Sequence, residues 1–320
     1  MDPTRRQALQ RLAGFGTAAA ALGGSGLWLH DRARRANDES DVLPSFQVER
    51  STTYSDFAVG RGGEARANTR AAIEALGGMG LFVKPGDRVM IKPNVAWKRI
   101  PEQAATTNPD VIAELVVLCR DAGAGEVVVF DCPCDAGPAT FRTSGIQSAV
   151  EAVGGKVAWP DKTDFVKVAF GGSLIKQWTI WNQLPKFDKV INAAIAKHHV
   201  QSRATCGMKN WYGILGGDRG LLHQNIHGSI VDLAATVKPT LTVLDAQRVL
   251  MRNGPTGGSL GDVKEVRAVA AGLDPVAIDA WGIEQLDQRV EDVLFISQAV
   301  ARGLGQAEWR KLKHKEVQVG

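Results

Sequence analysis

Short apolar runs recur along the chain between polar segments, and they predict the strands of a buried sheet. Three of them are almost wholly apolar: "EVVVFD" at 126–131, "KVINAAI" at 189–195 and "LTVLDA" at 241–246. Two more strands are predicted at 88–91, before Pro93, and in "VKEVRAVAAG" at 263–272. Continuous apolar runs of this kind are typical of strands that are buried on both faces of a parallel sheet.

Helix signals lie between these runs. Asn108, Pro109 and Asp110 predict a helix start, because they supply an N-cap, a proline at the first position and an acid in the first turn. Asp274 is the predicted N-cap of a later helix, "PVAIDAWGIEQL". The other predicted helices cover residues 65–76, 144–153 and 223–236.

The segment "FVKVAFGGSLIKQWTIW" at 165–181 has partial alternation around a Gly-Gly pair, which predicts an antiparallel hairpin. Strands that alternate with helices indicate a parallel sheet with helices on both faces. The predicted fold class is therefore α/β, with a mostly parallel doubly wound sheet and an inserted antiparallel hairpin. We expect residues 41–320 to form this single α/β domain.

The first 40 residues have a different character. Arg5 and Arg6 precede an uncharged, Ala/Gly-rich segment at 12–29. This arrangement resembles a twin-arginine export signal. We therefore predict that residues 1–40 hold such a signal and a linker, that the twin-arginine translocation machinery is a partner, and that the protein is periplasmic or otherwise extracytoplasmic. An uncleaved membrane anchor is the alternative, because the uncharged segment approaches the length that spans a bilayer.

Composition narrows the classes of partner. The 320 residues carry a net charge of only +4, with 22% charged and 44% hydrophobic residues. The hydrophobic and charged fractions are ordinary for a globular protein. Nucleic-acid binders usually present a dense basic face, so this balance argues against a nucleic-acid partner.

Polar and chargeable residues stand where the predicted strands end. Ligands of open α/β sheets bind beyond the carboxyl ends of the strands, so these residues predict one shared site. Asp and Asn also favour turns and caps, but lysine has no such preference. The residues concerned are Lys92, Asn94, Asp131, Cys132, Cys134, Lys197, His198 and Asp245, with Asp274 and Asp279 at a helix start.

The stretch "AKHHVQSRATCGMKNWYG" at 196–213 adds further candidates, among them Lys209, Asn210 and Gly213. Lysines that face one crevice repel one another unless negative charge lies between them, so the predicted ligand is an anionic small molecule. Crowding also lowers a lysine pKa, which makes the amine a candidate base or nucleophile. His223, near a predicted helix start, is a candidate partner of the ligand.

Three of the four cysteines invite a metal hypothesis. Cys132, Cys134 and Cys206, with Asp131, His198 or His199, could bind a metal ion or an iron–sulfur cluster. A disulfide from Cys206 to one of the pair is an alternative, as are free thiols. Cys119 lies on the apolar face of a predicted helix and is expected to be an inert core residue.

Five motifs together resemble the family called domain of unknown function 362. They are "VMIKPNVAW", "VINAAIAKHHVQSRATCGMKNWYGILGG", "LLHQNIHGSIVDLA", "LTVLDAQRVLMRNGPTGG" and "VAAGLDPVAIDAWG". Some relatives carry a ferredoxin-like iron–sulfur domain, whose C-x-x-C-x-x-C run is missing here, and the family has no agreed reaction. The resemblance therefore implies a site and leaves the chemistry open. The matching positions are Lys92, Asn94, Lys197, His198, Lys209, Asn210, Gly213, Asp245, Gly254, Pro255, Asp274 and Asp279.

The leading hypothesis is an exported enzyme that acts on an anionic small molecule, with or without a metal. Lys92, Lys197 and Lys209 would bind or activate the anion, and His198 would carry protons, because histidine titrates near neutrality. Asn94, Asn210, Gly213, His223, Asp245, Gly254, Asp274 and Asp279 would complete the ligand site. Two rivals stay open: a metal or iron–sulfur redox protein that uses its cysteines, and a solute-binding protein without turnover.

Overall fold

The structure is a computed structural model, and it describes residues 41–49 and 52–320. The chain divides into two units, Met1–Val42 and Leu43–Gly320. The described part of the first unit is a short strand, β1 (Asp41–Val42). The predicted twin-arginine signal lies outside the described residues.

The second unit is built on a large mixed sheet. Its strands follow the order β12-β2-β11-β10-β8-β3-β4-β5, and a short strand, β9, pairs with β8. The bounds are β2 (Phe57–Arg61), β3 (Arg88–Pro93), β4 (Glu126–Phe130), β5 (Lys156–Ala158), β8 (Lys189–His199), β9 (Arg203–Thr205), β10 (Leu241–Leu250), β11 (Val263–Gly272) and β12 (His314–Gln318).

The central strands β10, β8, β3, β4 and β5 pair in parallel, as do β12 and β2. β11 is antiparallel to both of its neighbours, β10 and β2. The prediction of a mostly parallel α/β sheet is therefore confirmed. The direction of β11 was not foreseen, and it places the end of that strand at the opposite edge from the ends of β8 and β10.

The predicted hairpin is also confirmed. Strands β6 (Phe165–Ala169) and β7 (Gln177–Trp181) pair antiparallel, with Val168 opposite Trp178. The hairpin belongs to a separate small sheet. It is attached to the main body by its apolar side chains, because Val168 and Ile180 are buried in the same core as the central strands.

The helices are named in chain order. They are α1 (Ala65–Ala75), α2 (Pro109–Asp121), α3 (Gly137–Thr143), α4 (Ile146–Ala152), α5 (Gly207–Asn210), α6 (Ile226–Thr236), α7 (Pro275–Gln285) and α8 (Leu294–Ala301). Both predicted caps are present, since Asn108 accepts the amide N–H of Asp110 and Asp274 accepts two amide N–H groups of α7. No helix in residues 41–49 and 52–320 is long and apolar enough to cross a membrane.

Two hydrophobic cores cover the two faces of the sheet. Successive strand residues alternate between them: Val89 and Ile91 belong to the core that includes α1 and α2, whereas Met90 belongs to the core that includes α6, α7 and α8. Such alternation is the period-two pattern of a strand. Because both faces are covered, the interior positions of the strands are apolar, and polar side chains gather at the strand ends.

Three elements differ from the sequence prediction. β8 runs to His199, so the residues that follow "KVINAAI" continue a strand instead of entering a loop. The predicted helix at 144–153 is preceded by a second helix, α3, and Gly145 separates the two with a φ of 72°. The helix predicted from His223 begins at Ile226, after a 3-10 segment, Arg219–Asn225.

Candidate functional site

The carboxyl ends of β3, β4 and β8 meet at one edge of the sheet, and a cavity of about 390 Å³ lies there. Segments far apart in the chain line it, including the end of β3, the residues after β4, the end of β8 and the 205–223 region. Most of the predicted site residues are in its walls: Lys92, Asn94, Asp131, Cys132, Cys134, Lys197, Lys209, Asn210, Gly213 and His223.

Lys92 is held as a paired cation. Its Nζ is 2.8 Å from Oδ1 of Asp131, and it donates to the carbonyl of Pro93 at 2.6 Å and to Oδ1 of Asn210 at 3.1 Å. Burial lowers the pKa of Lys92, and the Asp131 carboxylate opposes that shift. Three acceptors match the three N–H bonds of an ammonium group, so this lysine has no donor left for a ligand.

Asp131 is equally engaged. Its Oδ2 accepts the amide N–H of Val95 at 2.6 Å, and its Oδ1 accepts the N–H of Cys132 at 2.9 Å in addition to Lys92. The carboxylate thus joins the end of β4 to the segment after β3. The pair of Lys92 and Asp131 forms the floor of the cavity. Removing one partner of such a buried ion pair costs about 3–5 kcal/mol, so this contact stabilises the floor.

Lys197 has a different environment. Its Nζ donates to Oδ1 of Asn94 at 3.0 Å and to the carbonyl of Ala105 at 2.6 Å. Burial lowers the pKa of Lys197 to about 7, and the neighbouring Lys209 adds to the effect. The amine and ammonium forms of Lys197 are therefore both populated near neutral pH.

Lys209 lies on α5, whose N-terminus is fixed by a buried carboxyl group. Asp279 accepts the N–H of Gly207 at 2.7 Å and the N–H of Met208 at 3.1 Å. The ammonium of Lys209 lies 4.6 Å from the ring centroid of Tyr212 and, within the described residues, has no hydrogen bond or ion pair. Lys209 is only 8% exposed, and burial lowers its pKa to about 8.

Two amides connect the lysines. Nδ2 of Asn94 donates to Oδ1 of Asn210 at 3.2 Å, and Nδ2 of Asn210 donates to the Lys92 carbonyl and to Oδ1 of Asn192. Because Asn210 Oδ1 also accepts from Lys92, its orientation is fixed, and Asn94 is left with Oδ1 facing Lys197. The amides thus hold both lysines in place.

Gly213 lies against the ion pair in the floor. A Cβ built at this position would be less than 3.0 Å from Oδ1 of Asp131 and from Nζ of Lys92. Its carbonyl also accepts the N–H of Cys132 at 2.9 Å. Gly213 therefore allows the chain after α5 to approach the pair closely, which no other residue would permit without displacement.

Of the two adjacent histidines of β8, His199 lines the cavity and His198 does not. Side chains alternate along β8, so Lys197 and His199 share a face while His198 points away. Nδ1 of His198 accepts the N–H of Gly254, at 3.1 Å, outside the cavity lining. The placement of His198 and Gly254 in the predicted ligand site is corrected accordingly.

Nδ1 of His199 accepts the N–H groups of Gln201 and Ser202, at 3.2 and 3.3 Å. The ring proton of the neutral form is therefore on Nε2. Burial lowers the pKa of His199 to about 2, and burial with nearby Lys209 also lowers the pKa of His223. Two neutral imidazoles thus lie 6.2 Å apart, centroid to centroid, at the wall of the cavity.

Asp245, Asp274 and Asp279 do not line the cavity. Asp245 accepts the N–H groups of Asn108 and Gln247, both at 2.8 Å, and ties α2 to β10. Asp274 caps α7 at the end of β11, whose antiparallel direction carries it to the other edge of the sheet. The three carboxylates predicted to contact the ligand are thus engaged with backbone amides instead.

The cysteines do not form one ligand set. Cys132 and Cys134 line the cavity, but Cys206 is buried in the hydrophobic core, where its Sγ lies against Gly282 of α7. Both carboxylate oxygens of Asp131 are engaged. In residues 41–49 and 52–320, no group of three or more His, Cys, Asp or Glu side chains could hold a metal ion. The geometry gives no support to the metal set Cys132, Cys134, Cys206 and Asp131, and all four cysteines are free thiols.

Two further polar residues, which no sequence motif identifies, also line the cavity. Arg219 donates to the carbonyls of Tyr212 and Pro133, both at 3.0 Å, and lies 3.4 Å from Sγ of Cys134. The hydroxyl of Thr205 is buried and has no partner among the described residues. A lone arginine in a Gly-rich segment and a threonine next to a cysteine carry no sequence signal that would have identified them.

The charges of the cavity do not balance. Three of its described lining residues, Lys92, Lys209 and Arg219, are cationic, and Lys197 is partly protonated near neutral pH. The one carboxylate in the described lining is Asp131. That carboxylate is paired with Lys92. The remaining positive charge therefore faces the cavity without a counter-charge from its walls.

These features define an α/β protein with a cavity beyond the carboxyl ends of parallel strands, the usual place of ligand sites in such folds. Residues 89–284 match the family model described as Domain of unknown function (DUF362), and the chain belongs to that family. A curated relative, the thylakoid-associated protein sll1697 of Synechocystis sp. (strain ATCC 27184 / PCC 6803 / Kazusa), is 30% identical over 253 residues, which are 74% of this chain and 73% of the relative.

Two solved structures are more distant. The lactate racemase apoprotein from Thermoanaerobacterium thermosaccharolyticum is 14% identical, with a TM-score of 0.42 over 76% of this chain. A structural-genomics target from Thermotoga maritima is 11% identical, with a TM-score of 0.37 over 73% of this chain. The aligned part covers 58% of each of these two longer chains.

Proposed function

We propose that this protein is an enzyme that binds a small anionic substrate in the lysine-lined cavity. The observation that carries the proposal is the charge of the walls: Lys209 and Arg219 face a cavity whose described carboxylate, Asp131, is already paired with Lys92. Buried like charges are costly unless a counter-charge is present, and an anionic ligand would supply it.

The cavity is also of a suitable size. Its volume of about 390 Å³ is near the lower end of the usual range for ligand pockets, which is about 300–1,000 Å³. It is too small for a dinucleotide and large enough for a compact carboxylate or phosphate compound. The unpartnered hydroxyl of Thr205 offers a neutral hydrogen-bonding group to such a ligand.

The residues divide into binding and reacting groups. Lys209 and Arg219 bind the anion, because neither has a carboxylate partner in the described structure. Lys197 is the base or nucleophile, since burial brings its pKa to about 7. His199 takes the place in the cavity expected for His198, and its Nε2–H donates a hydrogen bond to the ligand, because its Nδ1 is engaged by two backbone N–H groups. Asn94 orients the amine of Lys197.

Calorimetric titration tests the binding step. We expect oxalate or phosphate to bind the purified protein, while oxamide, which has the shape of oxalate without its charge, does not. Lys209→Met should weaken the affinity for oxalate about ten-fold or more, because a hydrogen bond to a charged group contributes about 1.5–3 kcal/mol.

Lys98→Met is the matched control for this titration. Lys98 is exposed, follows the segment after β3 and does not line the cavity. Its substitution removes the same charge and should leave the affinity unchanged. If oxalate and phosphate fail to bind, or if both variants bind like the wild type, the proposed site is wrong. A protein that binds but converts no anion would be the solute-binding protein of the alternative hypothesis.

We also propose that the protein works outside the cytoplasm after twin-arginine export. Arg5 and Arg6 before the uncharged segment support this location. The description of the Synechocystis relative as thylakoid-associated is in keeping with a place near a membrane. Residues 1–40 fused to a folded fluorescent reporter should direct it to the periplasm of a Gram-negative host. The double substitution Arg5→Lys and Arg6→Lys should abolish export. Export of the Lys variant would refute this signal.

A further inference from the structure

The three lysines of the cavity differ in how their N–H bonds are used. Nζ of Lys92 has three acceptors, one of them a carboxylate, which is the pattern of an ammonium ion. Nζ of Lys209 lies against the ring of Tyr212, and a cation is the form that such a ring face attracts. Both groups therefore carry charge when a ligand is bound.

Lys197 alone has the pattern of a neutral amine. It lines the cavity, and its Nζ has two acceptors, Oδ1 of Asn94 and the carbonyl of Ala105. A neutral amine has two N–H bonds, so these acceptors use both and leave the lone pair at the remaining tetrahedral position. No carboxylate within the described residues forms an ion pair with Lys197, so nothing in the walls holds it protonated.

The groups beside Lys197 match the needs of carbonyl chemistry. Lys209 and Arg219 can hold a carboxylate, and the Nε2–H of His199, two residues along β8 on the same face, can donate a hydrogen bond to the carbonyl oxygen. The tautomer of His199 is fixed by the two backbone N–H groups that its Nδ1 accepts. The cavity thus combines a nucleophilic nitrogen, an anion clamp and a neutral hydrogen-bond donor.

We propose that Lys197 forms a Schiff base with the carbonyl carbon of a small oxo acid whose carboxylate is bound by Lys209 and Arg219. This inference rests on the proposed function and names its substrate class. The lone pair of Nζ attacks the carbonyl carbon, and a proton moves from nitrogen to oxygen to give a carbinolamine. That hydroxyl accepts a hydrogen bond from the Nε2–H of His199 and leaves as water together with the remaining proton of the nitrogen, which gives a C=N bond and no change in oxidation state.

Reductive trapping tests the proposal on the intact protein. Glyoxylate is the probe, cyanoborohydride is the reductant, and mass spectrometry reads the product. We expect one carboxymethyl group per chain at low glyoxylate concentration, and peptide mapping should place it on Lys197. Oxalate should protect Lys197 by competing for the anion clamp. Lys209→Met should raise the glyoxylate concentration needed about ten-fold, and Lys98→Met should not.

The pH profile separates Lys197 from ordinary lysines. With a pKa of about 7, its labelling rate should rise about ten-fold from pH 6 to pH 8 and then level off. Exposed lysines, which titrate near pH 10.4, should label slowly and keep rising over this range. The charged and titratable groups that face Lys197 are Lys209, Lys92, Cys134, Asp131 and His199.

The outcomes distinguish this inference from the proposed function. If oxalate binds at the cavity but Lys197 is not trapped, or is trapped no faster than exposed lysines, the Schiff base is refuted and the anion site stands. If oxalate does not bind, both are refuted. Because the mapping is made on the wild-type chain, the test does not depend on whether Lys197→Ala folds.

Discussion

The substitution Gly213→Ala tests the packing of the cavity floor most directly. A Cβ at this position would be 2.5 Å from Nζ of Lys92 and closer still to Oδ1 of Asp131. Neither neighbour can move freely, since Lys92 is 1% exposed and Asp131 is 2% exposed, with all their polar atoms hydrogen-bonded. The variant must therefore either separate the ion pair or shift the chain that carries Lys209.

Both routes have a known cost. Removing one partner of a buried ion pair costs about 3–5 kcal/mol, and forcing an extra methyl group into a packed interior costs about 1–3 kcal/mol. We expect Gly213→Ala to lower the free energy of unfolding by about 3 kcal/mol. A native domain is stable by about 5–15 kcal/mol, so the variant should still fold and can be measured.

Urea unfolding followed by circular dichroism gives the free energy, and oxalate calorimetry on the same sample gives the affinity. Gly171→Ala is the control, because a Cβ built at Gly171 meets no atom within 4 Å. It should change stability by less than about 0.5 kcal/mol. A Gly213→Ala variant with wild-type stability and wild-type oxalate affinity would show that the floor of the cavity is not packed as described.

Three further predictions concern buried groups around the site. Lys197 has a folded pKa of about 7, below its unfolded value, so the folded state loses a proton that the unfolded state keeps between pH 7 and about 10. In urea unfolding from pH 7.5 to 9.5, the free energy of unfolding of the wild type should therefore rise by about 1 kcal/mol per pH unit relative to that of Lys197→Met. Parallel plots of the two free energies against pH would contradict this. Asp279→Ala leaves the N–H groups of Gly207 and Met208 without an acceptor, so it should lower the free energy of unfolding by about 2–4 kcal/mol and weaken oxalate binding. Unchanged oxalate affinity would mean that the position of α5 does not depend on this cap. Cys206→Ser should lower the melting temperature and leave oxalate affinity unchanged, because Cys206 lies in the core; a loss of bound metal or of affinity would restore the cysteine hypothesis.

Local signals account for most of the elements that the sequence predicts correctly. The cap formed by Asn108 and the cap formed by Asp274 depend on hydrogen bonds between residues two or three positions apart. The residues before Asp131 form an uninterrupted apolar run, because both faces of β4 are covered by hydrophobic cores. Such a run predicts a buried strand. Helix caps depend on residues a few positions apart, and buried strands appear as apolar runs. Both signals can therefore be found in the sequence itself.

The site was predicted in part. Lys92, Lys197 and Lys209 were identified because lysine has no local reason to stand at a strand end or next to it, and all three line one cavity. The family resemblance and the near-neutral titration of histidine favour His198 as the proton carrier. β8 continues four residues beyond the predicted end at Ile195, and because strand side chains alternate, His199 and not His198 lies on the face of Lys197.

The sequence by itself determined where strands and helices form, which positions are capped, and that lysines gather beside strand ends, because periodicity and capping act over a few residues. Only the tertiary structure decided the direction of β11, which removed Asp274 from the ligand site, and the contacts that distinguish the lysines. Whether a buried lysine is a paired cation like Lys92 or an amine like Lys197 depends on acceptors from distant segments, such as Asp131 and Asn94. Their positions follow from the packing of the whole sheet and are not written in the neighbourhood of either lysine.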